Sequence, residues 1–390
     1  MATATTETAQ TSKPDTKPGG DFHGLKPDRL LELLGDMMLI RRFEEQTMKA
    51  YQQAKIGGFC HIYIGQEATA VGSIAATNND DPIVTAYRDH GHALARGMDP
   101  KFCMAEMYGK ITGCAKGKGG SMHLFDKPNQ MYGGHAIVGG QCPLGAGLGW
   151  AIQYNNEDKV AYCYLGDGAL NQGAFHEAMN LVAIYNLPTI FILENNGYSM
   201  GTDIARGTAM AHELQVKAES YGMRYAECDG QDLLDTYRVF KEQVDKTRGA
   251  RPINYNEKSG KREEIPTYSR EGRTPGPAFI NVKTYRYQGH SMSDPQKYRT
   301  KDEVGEKREI DCINRLVNQL IEADIATQEQ VDELDQRAKT LSKEAVEFAE
   351  ESPEIGMDEL YTDVYANPFG PYKVGEVHPA FRADPNAQGG

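Results

Sequence analysis

Two apolar runs flanking one amphipathic segment constrain this chain more than anything else in its 390 residues. Val160-Ala161-Tyr162-Cys163-Tyr164-Leu165 reads as a buried strand, and Leu187-Pro188-Thr189-Ile190-Phe191-Ile192-Leu193 as a second. Between them, Ala174 to Tyr185 puts Phe175, Ala178, Met179 and Val182 on one helical face. A strand–helix–strand crossover of this length joins parallel strands, which predicts an α/β fold: a doubly wound, mostly parallel sheet with helices on both faces. Further strands are expected from Tyr225 to Cys228 and from Phe279 to Tyr285. A helix should begin at Pro27, where Leu30, Leu33, Leu34, Met37 and Met38 recur at helical period, and two helical patterns run from residue 301 to about 350.

Composition sets the boundaries. Residues 1–21 contain no Val, Ile, Leu, Phe, Trp or Tyr, so residues 1–24 are expected to be a disordered tail. That stretch has no Arg and no apolar core, and fits neither a secretory signal nor a transit peptide. A single domain is expected over 25–365, with an exposed excursion at 248–277, a helical extension at 301–351 and an irregular tail at 366–390. No run of eighteen apolar residues suggests a membrane span. The seven cysteines include no C-x-x-C pair, which excludes a zinc finger and points to a reducing compartment. Of the net charge of -13, most sits in residues 301–360, which hold 18 acidic and 7 basic side chains. That block reads as a solvated helical face, and an acidic chain is poorly suited to nucleic acid. The expected location is cytoplasmic, with the mitochondrial matrix as the alternative.

Chemistry concentrates where the two central strands end. The first runs into Gly166-Asp167-Gly168-Ala169 and the second into Glu194-Asn195-Asn196-Gly197. Adjacent parallel strands put both carboxyl ends on the sheet edge where open α/β folds bind ligands. A carboxylate, a carboxamide and nearby loop carbonyls suit magnesium, whose octahedron is completed by water and phosphate oxygens. Glycines 166 and 168 allow a phosphate to approach the backbone, and the helix that follows attracts its charge. These residues on their own predict a diphosphate-plus-magnesium site.

Other glycine patterns fit less well. The dinucleotide fingerprint started by Gly166-x-Gly168 meets Asn171 where its third glycine belongs. Gly145-x-Gly147-x-Gly149 is wrongly spaced, and Lys116-Gly117-Lys118-Gly119-Gly120 lacks the P-loop order.

From Gly166-Asp167-Gly168, twenty-six residues lead to Asn195-Asn196, an interval that resembles the signature of thiamine diphosphate enzymes. Gly58-Phe59-Cys60-His61, Gly65-Gln66-Glu67-Ala68, Thr85-Ala86-Tyr87-Arg88, Gly117-Lys118-Gly119-Gly120-Ser121-Met122-His123 and Ile137-Val138-Gly139 narrow it, as do Thr284-Tyr285-Arg286-Tyr287 and Gly289-His290-Ser291-Met292-Ser293-Asp294-Pro295. Over roughly residues 25–365 the chain resembles the alpha subunits of thiamine diphosphate-dependent 2-oxo acid dehydrogenases, and within them those of the pyruvate dehydrogenase component of the pyruvate dehydrogenase complex.

The resemblance implies a role for each matching residue. Asp167 and Asn196 would bind magnesium through their side chains and Tyr198 through its carbonyl. Tyr87, Arg88 and Arg286 would contact the diphosphate, arginine offering forked donors. Gly168, Ala169 and Gln172 would line the same pocket, and backbone groups near Ala136 and Val138 would hold the aminopyrimidine ring. His290 and His61 would sit by the reacting carbon as catalytic residues, with His290 also touching the cofactor. An imidazole titrating near neutrality suits proton transfer there. Cys60 is either a reactive thiol or a buried inert one.

In this family the glutamate that activates the aminopyrimidine comes from a beta subunit, so the implied assembly has two alpha and two beta chains. It would dock on a dihydrolipoyl acyltransferase core carrying lipoyl domains. The implied reaction is decarboxylation of pyruvate, a small 2-oxo acid, with transfer of the acetyl group to lipoamide. Acetoin-cleaving and branched-chain 2-oxo acid dehydrogenases are the nearest alternatives, and a catalytically silent assembly subunit is the non-enzymatic one. Gln288 stands where many relatives have histidine. Ser291 matches one of three regulatory serines of animal relatives, but Asp203 occupies another position and Pro295-Gln296-Lys297-Tyr298 lacks the remaining one, so that control is expected to be absent.

Overall fold

Each central strand alternates its side chains between two apolar layers. In the computed structural model, which describes residues 21–250, 255–256, 261–262 and 276–363, Tyr162 and Tyr164 join one core while Cys163 and Leu165 join the other. Ile190 and Ile192 part from Phe191 and Leu193 in the same way, as do Ile280 and Val282 from Phe279. Both faces of the sheet are therefore covered, as a doubly wound fold requires.

The sheet has six strands: β1 (Ile83–Ala86), β2 (Met131–His135), β3 (Ala161–Gly166), β4 (Thr189–Asn195), β5 (Arg224–Asp229) and β6 (Ala278–Lys283). They lie in the order β2-β1-β3-β4-β6-β5, and every pairing is parallel. The sheet expected to be mostly parallel is wholly so among the described residues. From β1 the chain steps outward to β2 and then returns to β1's other side as β3. The direction of winding thus reverses between β1 and β3, the position where a crevice opens at the carboxyl ends.

One face carries α5 (Gln141–Tyr154) and α6 (Gly173–Ile184). The other carries α1 (Pro27–Gln52), α2 (Glu67–Ala75), α3 (His90–Ala95) and α4 (Pro100–Met107), together with α7 (Leu233–Thr247). Helix α5 sits close on the sheet because a Cβ at Gly145 would meet Cys163 Cβ at 2.6 Å and one at Gly149 would meet Thr189 Oγ1 at 2.0 Å. That glycine series is a packing device, and no ligand is needed to explain it.

The region after residue 301 holds three helices where two were expected: α8 (Lys301–Glu309), α9 (Cys312–Glu322) and α10 (Gln328–Glu351). Asp311 makes the extra break. Its Oδ1 accepts the backbone N–H groups of Ile313 at 3.0 Å and Asn314 at 3.2 Å, capping α9 where the periodicity alone ran on. Helix α10 begins with a capping box, Thr327 and Gln330 satisfying each other's backbone N–H. It then packs along α1 and α4. Strands β1 and β2 were not anticipated: β1 has only four residues, and the two glycines of Met131-Tyr132-Gly133-Gly134-His135 erase its strand signal.

Residues 1–20 of the tail expected at 1–24 and all of the tail expected at 366–390 lie outside the described residues, as does most of the excursion expected at 248–277. Within that excursion, Tyr255–Asn256 pairs antiparallel with Lys261–Arg262. Residues 21–24, expected to be part of the disordered tail, lead through a turn at His23–Gly24 into α1.

Asp36, on α1, is a carboxyl group raised to about 6 by burial, which outweighs the attraction of Arg29 and Arg337. A raised folded-state value means that Asp36 favours folding most below the ordinary carboxylate range and loses that benefit as pH rises to about 6. Asp36→Asn is expected to raise stability at pH 7 by on the order of 2 kcal/mol and to leave it unchanged near pH 4. Urea denaturation at the two pH values measures the difference; an equal effect at both contradicts it.

Candidate active site

The reversal between β1 and β3 opens a cavity of about 220 Å³. β1 runs directly into Ala86, Tyr87 and Arg88, and β3 into Asp167, Gly168 and Ala169. β4 leads to Glu194, Asn196, Tyr198, Ser199 and Met200, and the segment after β6 contributes Arg286 and His290. Of the residues expected from sequence, Tyr87, Arg88, Val138, Asp167, Gly168, Ala169, Asn196, Tyr198, Arg286 and His290 line this one space. His61, Ala136 and Gln172 do not. Ala136 follows β2, and Gln172 packs beside Gly139 at the rim, where a glycine Cβ would meet its Cβ at 2.9 Å.

Asp167 is 3% exposed. Its Oδ1 accepts from Gly168 N–H at 2.9 Å and Ser199 Oγ at 3.2 Å, while its buried Oδ2 has no hydrogen-bond partner. Burial raises its pKa against those bonds and against Arg286. An anionic oxygen held in this state is short of a cation. Asn196 Oδ1 accepts from Tyr198 N–H at 3.1 Å, which orders the turn carrying both residues. Among the described residues, no cluster of three or more His, Cys, Asp or Glu side chains could hold a metal. The donors here are one carboxylate and one carboxamide with backbone carbonyls nearby, a hard-oxygen set that needs further oxygens from a ligand.

The cavity also holds two cationic side chains. Arg88 is buried; its Nη1 donates to Ile62 O and its Nη2 to His290 O, both at 2.7 Å. Burial, and then Arg286, lower it to about 9. Arg286 donates Nε to Gln288 O at 2.9 Å and is likewise lowered by burial. Neither guanidinium has a salt bridge among the described residues, so a polyanion entering the cavity meets two cationic groups without a paired carboxylate.

His290 is held by its backbone: its N–H donates to Asp294 Oδ2 at 2.6 Å, and Asp294 also accepts from Gln296 N–H at 2.9 Å and Tyr298 Oη at 2.7 Å. His61 lies one layer behind, with Nδ1 2.7 Å from His290 O and its ring 4.9 Å from that of His290 and 4.5 Å from that of Tyr87, centroid to centroid. The near-neutral titration expected for these imidazoles is not found. Burial, and then Arg88, lower His290 to about 4 and His61 to about 3, so both are neutral at pH 7. Cys60 is buried and its thiol is pushed up to about 12, which favours the inert of its two readings.

Sequence reasoning missed Gln66, Gln141 and Glu194, all buried in the cavity wall. Glu194 Oε1 accepts from Tyr63 Oη and lies 3.1 Å from His92 Nε2. Its place at the end of β4, immediately before Asn195-Asn196, was a usable signal. The glycine–lysine turn at 116–120 is explained by another missed residue, Glu106 of α4. Its Oε2 accepts from Ala115 N–H at 2.7 Å and Gly117 N–H at 2.8 Å, and its Oε1 from Gly119 N–H at 2.6 Å and Gly120 N–H at 3.2 Å. The converging N–H groups that would cradle a phosphate in a P-loop hold an internal carboxylate here.

Residues 35–253 and 266–358 match the family model described as "Dehydrogenase E1 component". The stretch between the two matched parts falls inside the excursion expected at 248–277. A protein of Rickettsia bellii (strain RML369-C) named "Pyruvate dehydrogenase E1 component subunit alpha" is 44% identical over 330 residues, 85% of this chain and 94% of that protein. Proteins of the same name from Rhizobium meliloti (strain 1021) and Zymomonas mobilis subsp. mobilis (strain ATCC 31821 / ZM4 / CP4) are 41% and 40% identical. Those matches cover 89% and 93% of this chain, and 92% and 99% of the relatives.

Glu106→Gln replaces one acceptor oxygen with a donor among four N–H groups. It is expected to cost about 2–4 kcal/mol and to speed amide exchange over residues 113–123. Wild-type stability with unchanged exchange would show that the carboxylate does not hold the turn.

Proposed function

The chain belongs to the dehydrogenase E1 component family, and from that premise we propose that it is the alpha subunit of a pyruvate dehydrogenase that works with thiamine diphosphate and magnesium. The observation that carries the cofactor assignment is the unpartnered Oδ2 of buried Asp167 in the same cavity as Arg88 and Arg286. A cation at the carboxylate and a diphosphate at the arginines would satisfy both kinds of charge, so the residues fit the group.

Thiamine diphosphate, when bound, supplies a nucleophilic carbon and an electron sink for the loss of carbon dioxide from a 2-oxo acid. The protein's contribution is positioning and charge. Asp167, Asn196 and the Tyr198 carbonyl would hold magnesium. Tyr87, Arg88 and Arg286 would hold the diphosphate beside Gly168, Ala169 and Gln172, and the backbone near Ala136 and Val138 would support the ring. His290, neutral because of burial and Arg88, can donate one hydrogen bond and accept another at the reacting atoms without adding charge. His61 would orient it from behind. Anionic phosphates beside Arg88 would weaken the repulsion that lowers both imidazoles, so occupancy should raise their proton affinity.

The proposal includes the partners. A beta subunit would complete the site in an assembly of two alpha and two beta chains, which would pass the acetyl group to lipoyl domains of a dihydrolipoyl acyltransferase core. No helix among the described residues is long and apolar enough to cross a membrane. All seven cysteines are free thiols, which suits a reducing compartment; a cytoplasmic location is proposed, with the mitochondrial matrix as the alternative.

Calorimetry and turnover of the complex reconstituted with its beta chain test this reading. Thiamine diphosphate should bind only with a divalent cation, and Asp167→Ala should weaken that binding by about 2–5 kcal/mol. Pyruvate should be turned over in preference to 2-oxoisovalerate or acetoin. Uptake indifferent to Asp167 would favour a silent assembly subunit, and preference for either other substrate would reassign the enzyme within its family.

A further inference from the structure

Behind the cavity wall lies a buried ion pair that the reading above leaves without a task. Glu44 of α1 and His90 of α3 are both fully buried. His90 Nδ1 lies 3.1 Å from each carboxylate oxygen of Glu44, and Glu44 Oε1 also accepts Tyr63 N–H at 2.6 Å. On its other side, His90 Nε2 lies 2.9 Å from Ser121 O and 2.9 Å from Ser121 Oγ. A carboxylate and a peptide carbonyl only accept, so bonding to both requires a proton on each ring nitrogen. Burial, the largest single influence, opposes that charge, but Glu44 together with Asp89 and the Ser121 carbonyl outweighs it, and His90 is raised from its ordinary value. Ser121 Oγ in turn accepts His61 N–H at 3.3 Å, and His61 Nδ1 reaches the His290 carbonyl that Arg88 also holds.

We propose that the Glu44–His90 pair is a positioning device for the reaction: the doubly protonated imidazole of His90 fixes Ser121, and through it His61 and the backbone of His290 at the cavity. This rests on the thiamine diphosphate reading for what the cavity does. Neither Glu44 nor His90 lines the cavity, and neither touches a reacting atom. The groups facing His90 are Glu44 from α1, Asp89 from its own turn, Cys60 and His61 from the loop before α2, and Ser121 from the glycine-rich turn. Deprotonation leaves one ring nitrogen with a lone pair against an acceptor, and the chain of contacts to His61 slackens. Because the imidazolium is the bonded form, the arrangement holds at acid pH and is lost as pH rises through the titration of His90.

The test is the pH profile of kcat in the complex with the beta chain, with pyruvate and an artificial electron acceptor. Wild type should show an alkaline limb. His90→Gln should lower kcat by about 10- to 100-fold and abolish the limb, with half-saturation by thiamine diphosphate changed less than about threefold. Glu44→Gln should move the limb toward neutral pH. A merely structural role predicts lower activity with the profile's shape unchanged, and that result overturns the proposal. If neither variant assembles, a wild-type profile flat up to about pH 10 overturns it, and an alkaline limb supports it. Amide exchange of the wild-type and His90→Gln complexes needs no turnover. Faster exchange over 56–66 and 117–123 than over 161–195 supports the proposal even if no 2-oxo acid is consumed, and unchanged exchange refutes it even if pyruvate is.

Discussion

The in-register pairing of β3 with β4, from Ala161↔Thr189 to Gly166↔Glu194, is the contact on which everything at the cavity depends. It brings two strand ends level, so that the loops leaving them begin side by side. A slip by one residue would send Tyr162 and Tyr164 into the layer built for Cys163 and Leu165. Buried faces on both sides make that slip costly. The apolar core and the polar site are therefore specified by the same hydrophobic alternation, although they share few residues.

The cavity is built against the usual preferences of a protein interior. It carries an unsatisfied carboxylate oxygen, two guanidinium groups without acidic partners and two imidazoles kept neutral by burial and Arg88. Such groups are costly to bury, and under the proposed function anionic groups and a cation would complete them. Several buried carboxylates elsewhere are the reverse. Glu44, Glu67, Asp81 and Glu106 are buried carboxylates, and each has donors from arginine, histidine or backbone amides. Those four carboxylates are paired where Asp167 Oδ2 is not.

Sequence made the fold class legible because it rests on periodicity, and β3, α6 and β4 are long enough to display it. Asp167 and Asn196 were legible because they stand at predictable strand ends. β1 and β2 were not, since four residues and a glycine pair carry too little pattern. Glu44 and Glu106 were missed for a different reason: each acts through partners 9 to 46 residues away, and nothing in local spacing announces such pairings, whereas Glu194 stood at a legible strand end. The histidine titrations were misjudged because a reference value presumes water, while burial and Arg88 decide the outcome here.

The carboxylate of Glu106 inside the glycine–lysine turn has a consequence for selectivity. An exposed ring of backbone amides flanked by Lys116 and Lys118 would be a decoy, sequestering inorganic phosphate or stray nucleotides from solution. Plugged by its own anion and with both lysines engaged by Glu359 and Asp363, the turn is insulated from that competition.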